Sequence, residues 1–291
     1  ENVYEMGSII KPLVMAAALD AGAVSPQTTY TDHKGYVQVE NATIRNFDGR
    51  GRGTVSMQEV LSQSLNTGMV FVEQQLGHER FRDYMRRFGV GEETGIDLPG
   101  ETHGLVANLS SMRDVEYATA SFGQGIALTP METVRALAAL GNGGTLIAPH
   151  LIDTIDYKGG LSRRPEYTDG EAVIGKTASE DITRMLVEVV DKALLGGSVK
   201  IPEYSVAAKT GTAQMAREDG KGYYDDRYFH SFFGYFPAYD PKFLVFLYTV
   251  NPKGATFASH TLTHPFIRLT KFLLNYYEIP PDREPGLSLT R

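Results

Sequence analysis

Apolar residues recur along this chain with two different periods, and the dominant period changes near its middle. The run "IIKPLVMAAALDA" is apolar on nearly every side and stops at Gly22, which predicts a buried helix over 9–21. Pro12 fits only the first turn of that helix, because it lacks the N–H that would bond the carbonyl of Ser8. Ser8 therefore stands at a helix N-terminus, with Lys11 one turn on and on the same face. Residues 30–55 pass through short apolar stretches and Gly-rich turns, which predicts strands. The segment "SMQEVLSQSLNTGMVFVEQQLG" predicts two helical runs broken near "SLNTG", and further helices are expected at 78–88, 112–121 and 130–141.

From about residue 145 the pattern turns β-rich. "GTLIAPHLID" is strand-like, and 177–194 predicts a strongly amphipathic helix. "YSVAAKTGTAQ", "HSFFGYFPAY" and "KFLVFLYTV" predict three strands, the last two joined as a hairpin through "PAYDP". "HPFIRLTKFLLNYYEI" closes as a helix. Helices first and antiparallel strands later predict an α+β domain over 1–291. Its helical subdomain falls mainly within 22–145, beside a sheet subdomain mainly at 146–278 that takes in the helix 8–21.

Composition narrows the chemistry. A net charge of −7 argues against nucleic acid as a partner, since phosphate binding needs a basic surface. The arginines of "RDYMRRFG" line the solvated side of a helix whose stripe is Phe81, Tyr84, Met85 and Phe88. Without cysteine there is no thiol nucleophile, and the seven histidines lack HExxH spacing, so neither a metal nor a cofactor is expected. No run of some 18 apolar residues suggests a membrane span. Only seven residues precede Ser8, so the chain reads as a piece whose anchor lies upstream of Glu1.

Three short motifs carry the candidate chemistry. S-x-x-K (Ser8, Lys11), S-x-N (Ser64, Asn66) and K-T-G (Lys209, Thr210, Gly211) are expected by chance roughly 0.6, 0.4 and 0.1 times. Each occurs once; the product is ~0.02, and their order removes another factor of about 6. The first opens a helix, the second falls at a helix break and the third on a strand. A rival, "GEAVIGKT" (170–177), fits the P-loop pattern, but a polar, proline-broken segment precedes it and its loop is apolar and β-branched. No G-x-S-x-G elbow is present. A serine hydroxyl needs a base, and with no histidine near Ser8 the candidate is Lys11, made neutral by burial and a second cation, Lys209. The strand Lys209–Thr212 is placed to dock a peptide by backbone pairing, and Gly211 to let it lie close.

The set resembles the transpeptidase domain of class B penicillin-binding proteins, the monofunctional D,D-transpeptidases of peptidoglycan synthesis. "GSIIKP", "QSLNTG", "TGIDLPGE", "SFGQGIALTPMETVRALAALGNGG" and "AAKTGTAQ" resemble that family's landmarks in order, and "SFGQGI" and "YYEIPPD" resemble its division-type branch more than the elongation-type one. The resemblance implies the penicillin-binding-protein and serine β-lactamase-like fold, an antiparallel sheet flanked by helices, with its first strands missing from this chain. It implies that Ser64 bridges Lys11 and Lys209, that Asn66 holds the substrate's side-chain amide, and that Thr210 and Thr212 bind the terminal carboxylate. The N–H groups of Ser8 and Thr212 would form the oxyanion hole. Stem peptides ending in D-Ala-D-Ala and β-lactams are the implied ligands, a membrane glycosyltransferase or divisome protein the implied partner, and the periplasm or the outer face of the cytoplasmic membrane the implied place. Two other readings stand beside this one: a β-lactamase, whose class A form the absence of an E-x-x-L-N motif disfavours, or a D,D-carboxypeptidase, and a non-catalytic penicillin-binding sensor or scaffold.

Overall fold

A computed structural model describes residues 2–167, 170–218, 220 and 222–284. The centre of the molecule is α1 (Lys11–Asp20), which a 3-10 turn (Gly7–Ile9) leads into. Every side chain from Lys11 to Ala18 is buried, so this helix is enclosed rather than amphipathic. Pro12 sits in its first turn, and Gly22 (φ +64°) ends it in the left-handed conformation that glycine takes without strain.

Around α1 the first half of the chain builds two small antiparallel ladders and a set of helices. β1 (Thr29–Asp32) pairs with β4 (Gly53–Ser56), and β2 (Tyr36–Val39) with β3 (Ala42–Arg45). Next come α2 (Met57–Ser62) and α3 (Asn66–Leu76), then α4 (His78–Arg87), α5 (Asp114–Ala120) and α6 (Pro130–Gly141). The Ser56 hydroxyl caps α2, and Thr129 with Glu132 forms a capping box on α6.

The strand expected in "GTLIAPHLID" does not form. Apart from a bridge between Thr145 and Ala172, 144–153 is irregular. Pro149 removes a ladder donor, and the N–H groups of Leu151 and Ile152 donate instead to the Asp97 carboxylate, both at 2.8 Å. A small exposed hairpin, β5 (Ile155–Asp156) and β6 (Ser162–Arg163), follows. α7 (Lys176–Glu188) runs on as a π-turn (Val189–Ala193) and breaks at Leu195 and Gly196, both at positive φ. The would-be P-loop opens α7. Val173 and Ile174 are buried in the core, and the Gly175 N–H donates to Asp20 at 2.6 Å, where a phosphate would have to lie.

The sheet is antiparallel, in the order β7 (Ala207–Ala216), β8 (Tyr223–Phe236), β9 (Phe243–Val250), with a register shift between Gln214 and Ala216. Alternate residues of β8 serve two cores. Phe229, Phe233 and Tyr235 face the helices around α1; Phe232 and Phe236 face α9 (Thr263–Tyr276), where Phe232 stacks on Phe266 at 4.4 Å. α8 (Ala258–Thr261) precedes α9. Helices thus cover both sheet faces, as the α+β pattern requires. β9 is an edge strand among the described residues, and no described helix is long and apolar enough to cross a membrane.

Candidate active site

The three motifs meet in one cleft of 810 Å³. Ser8, Ser64, Asn66, Lys209, Thr210 and Thr212 line it, while Lys11 is buried beneath at 0 % exposure. Ser8 lies in the 3-10 turn one turn before α1, and its hydroxyl makes no hydrogen bond to any described residue. Ser8 itself lines the cleft.

Lys11 Nζ bonds the Ser64 carbonyl at 2.7 Å, Asn66 Oδ1 at 2.8 Å and Ser64 Oγ at 3.2 Å. Lys209 Nζ donates to Ser64 Oγ at 3.0 Å and to the Thr210 carbonyl at 3.0 Å. One hydroxyl therefore joins two lysines. A serine oxygen can accept from one ammonium and donate its own proton to a neutral amine, so this pattern fits one charged and one neutral lysine. Burial pushes the Lys11 ammonium well below its ordinary 10.5, and the neighbouring Lys209 charge pushes it the same way. Burial alone brings Lys209 down to about 7. The Ser64 hydroxyl thus lies between two lysines whose charged forms burial disfavours.

Ser64 is held where it is at a conformational cost. It terminates α2 with φ +54°, a region where glycine is the usual residue. Behind it, a buried network that the motifs did not disclose fixes the start of α3. Asp32 accepts from Asn46 Nδ2 at 2.6 Å and from Thr67 Oγ1 at 3.2 Å, and Asn46 Oδ1 accepts from the Thr67 N–H at 3.2 Å. Asn66 Nδ2 donates to the Arg45 carbonyl at 2.9 Å, so its side chain is oriented from both ends.

Glycine at 211 has a different reason from the one expected. A Cβ there would lie 2.3 Å from Ser231 Oγ and 2.7 Å from the Met6 carbonyl, so it is the chain's own Ser8-bearing segment that needs the space. Gly7 (φ +64°) and Gly123 (φ +82°) complete this packing: the Gly7 N–H donates to the Gly123 carbonyl at 3.1 Å. Thr212 Oγ1 accepts from the Ala258 N–H at 3.0 Å, leaving its proton to be donated into the cleft.

Glu5 also went unrecognised in the sequence. One of its oxygens accepts from the Gly125 N–H at 2.9 Å and from Tyr223 OH at 3.0 Å, tying the segment before Ser8 to the "SFGQG" turn and to β8. Burial raises its pKa. Tyr223 thus belongs to this brace, Phe229 packs on Tyr4 at 4.6 Å, and Gln124 lines the cleft. At the mouth, Phe47 from the helical side meets Phe257 edge-on at 5.6 Å. His260 packs edge-on against Phe257 and His264 is exposed; neither reaches the lysines' hydrogen-bond network.

Comparison with known proteins follows the same lines. Residues 1–268 match the family described as "Penicillin binding protein transpeptidase domain". Stage V sporulation protein D of Bacillus subtilis is 36% identical over 91% of this chain and 41% of its own length. Penicillin-binding protein PbpB of Mycolicibacterium smegmatis is 27% identical over 99% of this chain and 45% of its own. The chain thus spans less than half the length of these curated relatives. Among solved structures, penicillin-binding protein 3 of Mycobacterium tuberculosis complexed with ampicillin superposes with a TM-score of 0.90 at 26% identity, covering 98% of this chain and 65% of that one. The transpeptidase domain of Burkholderia pseudomallei penicillin-binding protein 3 gives 0.84 at 25% identity, covering 97% and 82%.

Proposed function

The chain belongs to the penicillin-binding protein transpeptidase domain family, and on that premise we propose that it crosslinks peptidoglycan stem peptides through an acyl-enzyme on Ser8. The observation that carries this reading is the Ser64 hydroxyl lying 3.2 Å from Lys11 Nζ and 3.0 Å from Lys209 Nζ. Ser8 Oγ attacks the carbonyl carbon of the penultimate D-alanine, and its proton passes to neutral Lys11. The N–H groups of Ser8 and Thr212 stabilise the oxyanion. The C–N bond then breaks, and the departing D-alanine nitrogen takes a proton relayed through Ser64. An amine from a second stem peptide attacks the ester, forms the new amide and returns the proton to Ser8 Oγ. Asn66 holds the peptide's side-chain amide, Thr210 and Thr212 its carboxylate, and the backbone of Lys209–Thr212 its extended chain.

A β-lactam enters by the same attack and, with no leaving group free to depart, stays bound. The reading carries with it an extracytoplasmic setting, an anchor and a membrane glycosyltransferase or divisome partner for the longer protein. The family's division-type branch is the better fit, given relatives named FtsI among the matches. Intact-protein mass spectrometry with penicillin G is the test. A stable one-drug adduct on the parent and none on Ser8→Ala is the expected result. Rapid loss of the adduct with drug consumed would replace the transpeptidase by a hydrolase, and no adduct on the folded parent would leave only a scaffold.

The lysine pair also sets a pH profile. Attack needs Lys11 neutral and Lys209 charged, so the acylation rate rises as the pair sheds its first proton and falls as it sheds the second. Because burial lowers Lys209 to about 7, the alkaline limb is expected nearer 7 than 10.5. Lys209→Arg, whose guanidinium keeps its charge, should abolish that limb in stopped-flow acylation while leaving the acid limb in place. An unchanged alkaline limb would remove Lys209 from the role of cation.

A further inference from the structure

α3 has Asn66 at its start and Glu73 two turns on. Glu73 is 1 % exposed, yet its Oε1 has no hydrogen-bond donor among the described residues. A buried carboxylate oxygen that receives no hydrogen bond, and has only a histidine at ion-pair distance, is incompletely satisfied, which points to a further donor. It lines a cavity of 230 Å³ together with His78 from the start of α4 and Asp114 from the start of α5. His78 Nε2 stands 3.4 Å from Glu73 Oε1 and 3.9 Å from Asp114 Oδ1, and its ring is fixed by stacking on Tyr117 at 4.1 Å. The nearby cation, Arg113, is engaged with Glu40 and Glu116.

The cavity therefore presents two carboxylates and one imidazole, beside the Gln74 amide and the apolar walls of Val39 and Ala118. A bare metal ion does not suit it: no three such side chains converge closely enough to hold one among the described residues. An organic cation does. Its charge would sit against the carboxylates and its methylenes against Val39 and Ala118. We propose that this cavity binds a primary ammonium group on a short apolar stem, with Glu73 and Asp114 as its counter-charges. The site is distinct from the Ser8 cleft and does not depend on the reaction assigned there.

Affinity has a definite pH sign. Burial, with the Asp114 charge beside it, raises Glu73 to about 7. Protonation below that value removes a counter-charge, so binding strengthens as pH rises through it. The polar groups that share the cavity with Glu73 are Gln74 on its own helix, His78 on α4 and Asp114 on α5.

The test is an amide NMR titration of the whole chain with methylammonium chloride at pH 8, against sodium chloride at matched ionic strength. Saturable shifts at Gly77 and Ala118 with methylammonium alone are expected, weakened about tenfold or more in Glu73→Gln and again at pH 6. Glu73→Gln keeps the shape of the protonated acid. Asp114→Asn, at a side chain 67% exposed, is the second variant should the first not fold, and should also weaken binding. Nα-acetyl-lysine amide distinguishes the source of the ammonium. Binding equal to methylammonium assigns the site to a lysine-type side chain, and binding of methylammonium alone assigns it to a free amine. Equal shifts with sodium, shifts that never saturate, or affinity unchanged in both variants would overturn the proposal.

Discussion

Lys11→Met should fold and yet lose acylation of Ser8 by penicillin, by about 10³-fold in second-order rate constant. General-base catalysis is commonly worth about 10²–10⁴, and no described histidine takes part in the site's hydrogen-bond network to replace it. Methionine is close to lysine in length and apolar, so the packing around a residue with 0 % exposure is kept. Two effects on stability oppose each other. Burial holds the folded Lys11 well below 10.5, so the unfolded chain binds a proton that the folded chain refuses. That opposes folding at every pH between the two values, and the penalty fades as pH rises towards 10.5. Methionine removes this penalty but leaves the Ser64 carbonyl and Asn66 Oδ1 without a donor, at roughly 1–3 kcal/mol. Tm is therefore expected to stay within about 4 °C. Stopped-flow acylation beside a thermal melt reads both. A variant that acylates at the parent rate would acquit Lys11 of any role as base, and one that does not fold would show that its hydrogen bonds outweigh the cost of burying it.

Much of this site is legible in the sequence because its chemistry is local. Ser8 and Lys11 share a helix start, and Pro12 fixes which turn that is. Ser64 and Asn66 straddle a helix break, and Lys209–Thr212 lies in a segment rich in strand-forming residues. Residues that support these from elsewhere in the chain are not legible in the same way. Asp32 and Asn46 reach Thr67 across 35 and 21 positions, and Glu5 reaches Tyr223 across 218. Nothing in a window of ten or twenty residues reports such contacts. The failed strand at 144–153 has the same origin: its apolar pattern suits a ladder, but Asp97, some fifty residues earlier, takes its donors. Gly211 shows the limit from another side. The need for a glycine was visible in the motif, whereas the atoms that impose it belong to Met6 and Ser231, which only the fold brings near.

Gly123→Ala carries that last point to its largest expected effect. A Cβ at 123 would lie 2.1 Å from the Gly7 carbonyl oxygen and 2.7 Å from its carbon, distances at which backbone, not a side-chain tip, has to move. The residue is also at φ +82°, where alanine is strained by about 1–2 kcal/mol. Overpacking adds typically about 1–3 kcal/mol, so a loss of about 2–5 kcal/mol is expected in a denaturant melt. Gly143→Ala separates the two terms, because Gly143 has nearly the same backbone (φ +87°) with nothing within 4 Å of the added carbon. It should cost only the conformational part, and acylation should be untouched. In Gly123→Ala the bond from the Gly7 N–H to the Gly123 carbonyl must lengthen, and with it the turn that presents the Ser8 hydroxyl and N–H moves. A displacement near 1 Å in a reacting group costs about 100-fold in rate, which sets the expected fall in acylation. If both alanines melt and acylate alike, the "SFGQG" turn is a scaffold remote from the nucleophile. If only Gly123→Ala is slow, that turn is the abutment that holds Ser8 in the cleft.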